Sequence, residues 1–291
     1  SLIDEGNTIP FIARYRKEVT GSLDDTVLRT LSERLNYLRG FDKRREEITS
    51  LIDGQGKLTP EITAALDKAK TLTELEDIYR PYKQHRKTRA SAAREKGLEP
   101  LAALLLEQKE NYGKTIEEIA KEFIDEEKEV NSAEDALAGA RDIKAEDISD
   151  SADYRREIRA ITWRAGSITT KQIKEGSSPY ENYYDYTEKL SSIPNHRILA
   201  VNRAEKEEYI RVSVTVEPSL ILNFLADKIL GSPKSPAYNH VISAITDSYE
   251  RLIAPSIERE LRSELFDTAS EGAIKNFSEN LRNLIMQPPV K

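Results

Sequence analysis

The chain has 291 residues, 38% of them hydrophobic and 33% charged, with a formal net charge of −7. That length supports one large domain or two ordinary ones with a sizeable core. No run approaches the roughly 18 apolar residues of a membrane span, and the absence of cysteine excludes disulfides, thiol chemistry and the usual zinc fingers. His85, His196 and His240 are scattered, so no metal and no cofactor is expected. No basic-then-apolar leader opens the chain, and a cytoplasmic location is expected.

Helical periodicity dominates in chain order. Leu2-Ile3-Asp4-Glu5 reads as the end of a helix stopped by Gly6-Asn7, so the chain is expected to be part of a longer protein. Leu28, Leu31, Leu35 and Leu38 predict a helix over 22–40 after a Ser22-x-x-Asp25 start. Ile48, Leu51 and Ile52 predict a second, ending at "DGQGK". Thr59-Pro60 opens the next, a cap followed by proline where its missing N–H costs nothing. Thr73-x-x-Glu76 has the form of a capping box ahead of Leu75, Ile78 and Tyr79, and Pro81 stops that helix.

Ser132 caps a run through Leu137, Ala140 and Ile143, and Tyr154, Ile158, Ile161 and Trp163 line a helix ended by Gly166. The acidic segment 117–130 reads as a solvated helix face. "EYIRVSVTVEP", 208–218, alternates Ile210, Val212, Val214 and Val216 at the strand period, and its neighbour "RILAV", 197–201, is a partner strand or a short helix. The last fifty residues predict one or two long helices carrying Ile257, Leu261, Leu265, Ile274, Phe277, Leu281 and Ile285, with a break or kink at Pro255. The fold class is therefore all-α with at most a small β element near 208–218.

"DGQGKLT", 53–59, lacks the spacing of a phosphate loop and reads as a turn. The carboxylates lie along amphipathic helices with no pair singled out for acid–base work, so no enzyme is expected. Tyr180, Tyr183, Tyr184 and Tyr186 beside lysines could stack on single-stranded bases or anchor a long loop. The basic stretch "YRPYKQHRKTRASAAREKG", 79–97, supplies the candidate nucleic-acid contacts Arg80, Lys83, Arg86, Lys87, Arg89 and Arg94. Ala93-x-x-x-Gly97 has the small residue and turn glycine of a helix-turn-helix. Its second helix, "EPLAALLLEQ", carries Leu101, Leu104, Leu105 and Leu106 between Glu99 and Glu107, with no Arg or Lys to reach a base edge. Contact is expected with backbone alone, salt-sensitive and sequence-blind.

"LIDEGNTIPFIARYRKEVTGSLDD", "DIYRPYKQHRKTRASAAREKGLEPLA", "IPNHRILAVNR" and "IAPSIERELRSEL" resemble the bacterial Tex family of transcription accessory proteins, relatives of the eukaryotic Spt-type elongation factors. The resemblance covers nearly the whole chain. Ala204 departs from it where a glycine is expected, with a local turn as the feature in doubt. It implies a helical N-terminal region containing a helix-turn-helix-like lobe, followed in the family by RNase H-like, helix-hairpin-helix and OB-type RNA-binding domains that this chain lacks. On that basis 1–56 and 126–291 form a discontinuous main helical domain and 57–125 an inserted lobe. In "PFIARYRKEVTG", Pro10, Phe11, Ile12 and Tyr15 supply apolar surface. Arg14, Arg16, Lys17 and Glu18 are available for an interhelical clamp or a phosphate site.

The expected function is a non-enzymatic scaffold and nucleic-acid-associated module. Its partner is RNA or DNA, bound mainly through the family domains missing here. The alternative is an interaction module docking RNA polymerase or ribosome-associated proteins through an acidic surface.

Overall fold

The computed structural model of the chain describes residues 2–83 and 87–287, and its contacts divide into two units, Ser1–Lys83 and Gln84–Lys291. Both are predominantly helical, and the described strands form a single three-stranded sheet.

In the first unit, α1 (Ile9–Tyr15) starts with Pro10 in its first turn and gives way at Arg16 to the short α2 (Lys17–Thr20). Gly21 closes α2 at φ 64°, a left-handed conformation that glycine adopts without penalty. The two helices expected over 22–40 and around 48–52 are one continuous helix, α3 (Asp25–Asp53), capped by Asp24 rather than started at Ser22. The sole candidate breaker, Gly40, is exposed and stays helical, so nothing interrupts the hydrogen-bond ladder. Thr59 and Pro60 begin α4 (Pro60–Lys68) as expected.

The cap of α5 (Leu72–Tyr79) is Thr71 rather than Thr73. Thr71 accepts from the Glu74 N–H, while Glu76 instead pairs with Arg44 of α3 at 2.7 Å. Phe41, Ile48, Ile52, Leu66, Leu75 and Tyr79 bury one another as this unit's core.

The second unit begins with α6 (Arg89–Glu95), α7 (Glu99–Glu107) and α8 (Ile116–Lys121), which pack on α9 (Ala133–Ser149). Thr88 and Thr115 cap α6 and α8 with reciprocal boxes, and Ser132 caps α9. Gly97 turns the chain between α6 and α7 at φ 82°. Gly139 on α9 lets that helix approach closely: a Cβ there would sit 2.4 Å from Leu98 Cδ1 and 3.3 Å from the Ala93 Cβ. Most of the acids of 117–129 are exposed while Ile116, Ile119 and Ala120 turn inward.

A second core lies beyond α9. It gathers α10 (Ala152–Ala165), β1 (Ser167–Gln172), β2 (Thr187–Lys189), α11 (Asn195–Lys206), β3 (Ile210–Thr215), α12 (Pro218–Ile229), α13 (Tyr238–Asp247) and α14 (Ala254–Ile285). "RILAV" lies in α11, so the partner of the predicted strand is β1, antiparallel with Ile168 opposite Val214 and Thr170 opposite Val212. Ala204 is wholly buried within α11 and not in a turn. Trp163 is on the outer side of α10, partly exposed.

The irregularity expected at Pro255 takes the form of a π-helical turn, Ser248–Ile253, joining α13 to α14. The wider turn accommodates a residue with no N–H and a ring that crowds the carbonyl four residues back. No helix among the described residues is long and apolar enough to cross a membrane.

Candidate nucleic-acid interface

The basic stretch divides between the two units. Arg80 opens a 3-10 turn, Arg80–Tyr82, after α5, and Lys83 follows it exposed. The tyrosines that bracket Arg80 serve the fold. Tyr79 is buried in the first core under the Arg44 guanidinium, 5.8 Å from the ring centroid, and Tyr82 is half-buried with its carbonyl bound by Gln55. Arg86 lies outside the described residues.

In the second unit the cations meet acids. Lys87 pairs with Glu95 at 3.1 Å, both side chains well exposed, a contact of little energetic weight. Arg89 is exposed on the first turn of α6, in the field of Asp142 and Asp247. Arg94 forks to Glu146 at 2.6 Å and Asp147 at 2.7 Å, tying α6 to the end of α9. Burial opposes its charge, but the two carboxylates prevail and raise its pKa above the ordinary arginine value. The α7 helix turns Leu101, Ala102 and Leu105 into the core, so its inner face is committed to packing.

The tyrosine-rich loop is anchored. Tyr180 is buried against Tyr209, with ring centroids 5.5 Å apart. The Tyr184 hydroxyl meets Ser178 at 2.7 Å, and that of Tyr186 is held by Glu188 and Arg197. Burial closes the Tyr180 ring to a base, and the hydroxyl bonds hold Tyr184 and Tyr186 to the loop itself.

Two surfaces lie outside the basic stretch. At the start of the chain, Phe11 and Tyr15 are 38% and 60% exposed, beside exposed Arg14, Arg16 and Lys17. At the other end, Leu261 and Leu265 of α14 are buried, but Ile274, Phe277, Leu281 and Leu284 are exposed. Periodicity reveals that second stripe in the sequence without telling a core face from an uncovered one. No cluster of three or more potential metal ligands occurs among the described residues.

The architecture is thus that of a charge-rich helical module with one small sheet and, among the described residues, several apolar side chains left exposed on α1, α3 and α14. Two family descriptions match it: Tex-like protein N-terminal domain over residues 1–53 and Tex central region-like over residues 111–277. The chain belongs to the Tex family. It is 44% identical to the uncharacterized protein YdcI of Bacillus subtilis over its full length, covering 41% of that protein. It is 34% identical to the transcriptional accessory protein Tex of Neisseria gonorrhoeae, over 99% of the chain and 38% of the relative. It is 30% identical to the human S1 RNA-binding domain-containing protein 1, over 99% of the chain and 30% of the relative. The chain therefore spans about two fifths or less of the length of these curated relatives.

Proposed function

We propose that this chain is a non-enzymatic helical scaffold and nucleic-acid-associated module of a transcription accessory protein. The observation that carries this reading is the uncovered stripe on α14. Ile274, Phe277, Leu281 and Leu284 recur at the three-and-four spacing of a packing seam, yet all four are exposed. A contiguous apolar stripe of this kind marks an interaction face. Its occupant on this reading is one of the downstream domains that the family resemblance implies, so α14 orients those domains against the core that holds its first half. The cations of 80–94 add weak, separate backbone contacts through Arg80, Lys83, Arg86, Lys87 and Arg89, with Arg94 serving the fold.

Hydrogen exchange tests the scaffold. The amides of 274–286 in this chain are compared with the equivalent amides of the full-length gonococcal relative. Docking is expected to slow their exchange about tenfold or more in the longer protein. Equal exchange in the two would remove the reading.

The exposed acids between Glu117 and Glu129 favour a second reading, in which the module docks a basic face of RNA polymerase or a ribosome-associated protein. Retention of purified polymerase by the immobilised chain in the absence of nucleic acid is its expected result.

A further inference from the structure

The segment "PFIARYRK" is read from sequence as a clamp or a phosphate site, and its cations do not clamp. Arg14, Arg16 and Lys17 are all exposed, and none has an ion pair to an acid among the described residues. Other arginines of the same unit do: Arg29 to Asp25, Arg39 to Asp4 and Arg44 to Glu76. Beside the three cations two aromatic rings are partly exposed, Tyr15 more than Phe11. Phe11 and Tyr15, one turn apart on α1, have ring centroids 5.3 Å apart and are tilted by 45°. The Arg16 guanidinium carbon lies 5.9 Å from the Phe11 centroid.

Local structure holds this group in place. Ile12 is the buried residue of α1 and anchors it, so Phe11 and Tyr15 fall toward its outer side at i and i+4. Arg16 sits at the break between α1 and α2, where its carbonyl accepts from the Val19 and Thr20 N–H groups. Lys17 then begins α2. A helix C-terminus favours cations through its dipole, which accounts for the charge of Arg14 but not for two exposed rings. Scattered exposed apolar residues need no explanation, whereas paired rings flanked by three cations without acid partners combine the two features that single strands require. The rings offer stacking faces and the cations offer phosphate contacts.

The geometry points to Phe11, Arg14, Tyr15, Arg16 and Lys17 as a contact site for single-stranded nucleic acid, two bases stacking on the rings and the adjoining phosphates meeting the cations. This site is independent of the contacts proposed for 80–94.

Fluorescence anisotropy on this chain is the test, with labelled oligo(U), oligo(dT) and a duplex, each about twelve nucleotides long. The chain is expected to bind the single strands at low salt more tightly than the duplex. Tyr15→Ala is expected to weaken oligo(U) or oligo(dT) about fivefold or more and to leave the duplex unchanged. Arg14→Glu with Arg16→Glu and Lys17→Glu is expected to lower the slope of log K against log salt by about 2, at roughly 0.7 per phosphate contact. Circular dichroism establishes that each variant is folded.

Lys57→Glu with Lys68→Glu and Lys70→Glu, an equal charge change at three exposed lysines of the same unit, is expected to have much less effect. Four results would overturn the site: no binding by the parent chain, an equal loss in that control, no effect of Tyr15→Ala, or a loss confined to variants of 80–89. The last of these leaves the contacts proposed under 80–94 standing.

Discussion

Glu260 is shared between two arginines, and that arrangement governs its response to pH. It accepts from wholly buried Arg155, from Arg159 at 2.7 Å, and from the Ser256 hydroxyl at 3.1 Å. Burial alone would raise its pKa, but the charge of Arg155 and the Arg159 hydrogen bond outweigh burial and hold it below the usual glutamate range. A folded-state pKa below the unfolded one means that the ionised form stabilises the fold. That contribution is complete above the ordinary glutamate pKa of about 4.3 and is lost as pH falls through the lower folded value. Glu260→Gln is expected to cost about 2 kcal/mol at neutral pH, because the buried Arg155 guanidinium and Arg159 lose a charged hydrogen-bond acceptor. The gap from the parent should narrow in acid, as measured by urea unfolding between about pH 3 and 7; an equal gap at both ends would refute it. The sequence marks Arg155 and Glu260 only as charged residues on two helices, since their meeting is a tertiary event. Thr59, Pro60 and Ser132, by contrast, are legible as helix starts because a cap closes within its own turn. The cap of α5 defeats that local reading because both Thr71-x-x-Glu74 and Thr73-x-x-Glu76 have the right form. Glu76 is drawn instead to Arg44, 32 residues earlier in the chain.

At the scale of elements, β3 is recognisable from its alternation, but its neighbours are not. β1 is "SITTKQ", too polar to declare itself a strand, and β2 has only three residues. Pairing in the order β2-β1-β3 leaves β3 at an edge. That edge is occupied by side chains. The Val212 N–H donates to Glu205 at 3.1 Å, the Val214 N–H donates to Glu258 at 3.0 Å, and Arg262 donates to the Val212 carbonyl at 3.1 Å. Arg262 and Glu205 are themselves paired, so together they satisfy Val212 as the next strand of a sheet would. Exposed edges invite pairing with other chains, and charged groups that occupy them prevent it. Arg262→Ala combined with Glu205→Ala is therefore expected to make the average mass in sedimentation rise more steeply with concentration than in the parent. Identical curves would show that the edge is protected by other means. None of these three side chains is recognisable from sequence as an edge plug, because they come from α11 and α14.

For the whole molecule, a net charge of −7 opposes general nucleic-acid binding, so any contact has to be local and steeply salt-dependent. Replacing Arg80, Lys83, Arg86, Lys87 and Arg89 by Glu is expected to flatten the salt dependence of oligonucleotide binding by about 0.7 in log–log slope for each phosphate contact removed. An unchanged slope would reduce 80–94 to a connector. The helical class, most helix starts and the family resemblance are readable from the chain alone, because periodicity, capping and motif strings are properties of neighbouring residues. Which cations stay available is not readable, since Arg94 meets acids more than fifty residues away while Arg14, Arg16 and Lys17 are left in solvent. The division of α14 between a buried half and an exposed stripe is equally hidden, because both halves repeat the same spacing. Burial and ion pairing depend on what the fold brings alongside a residue, and only the tertiary structure decides that.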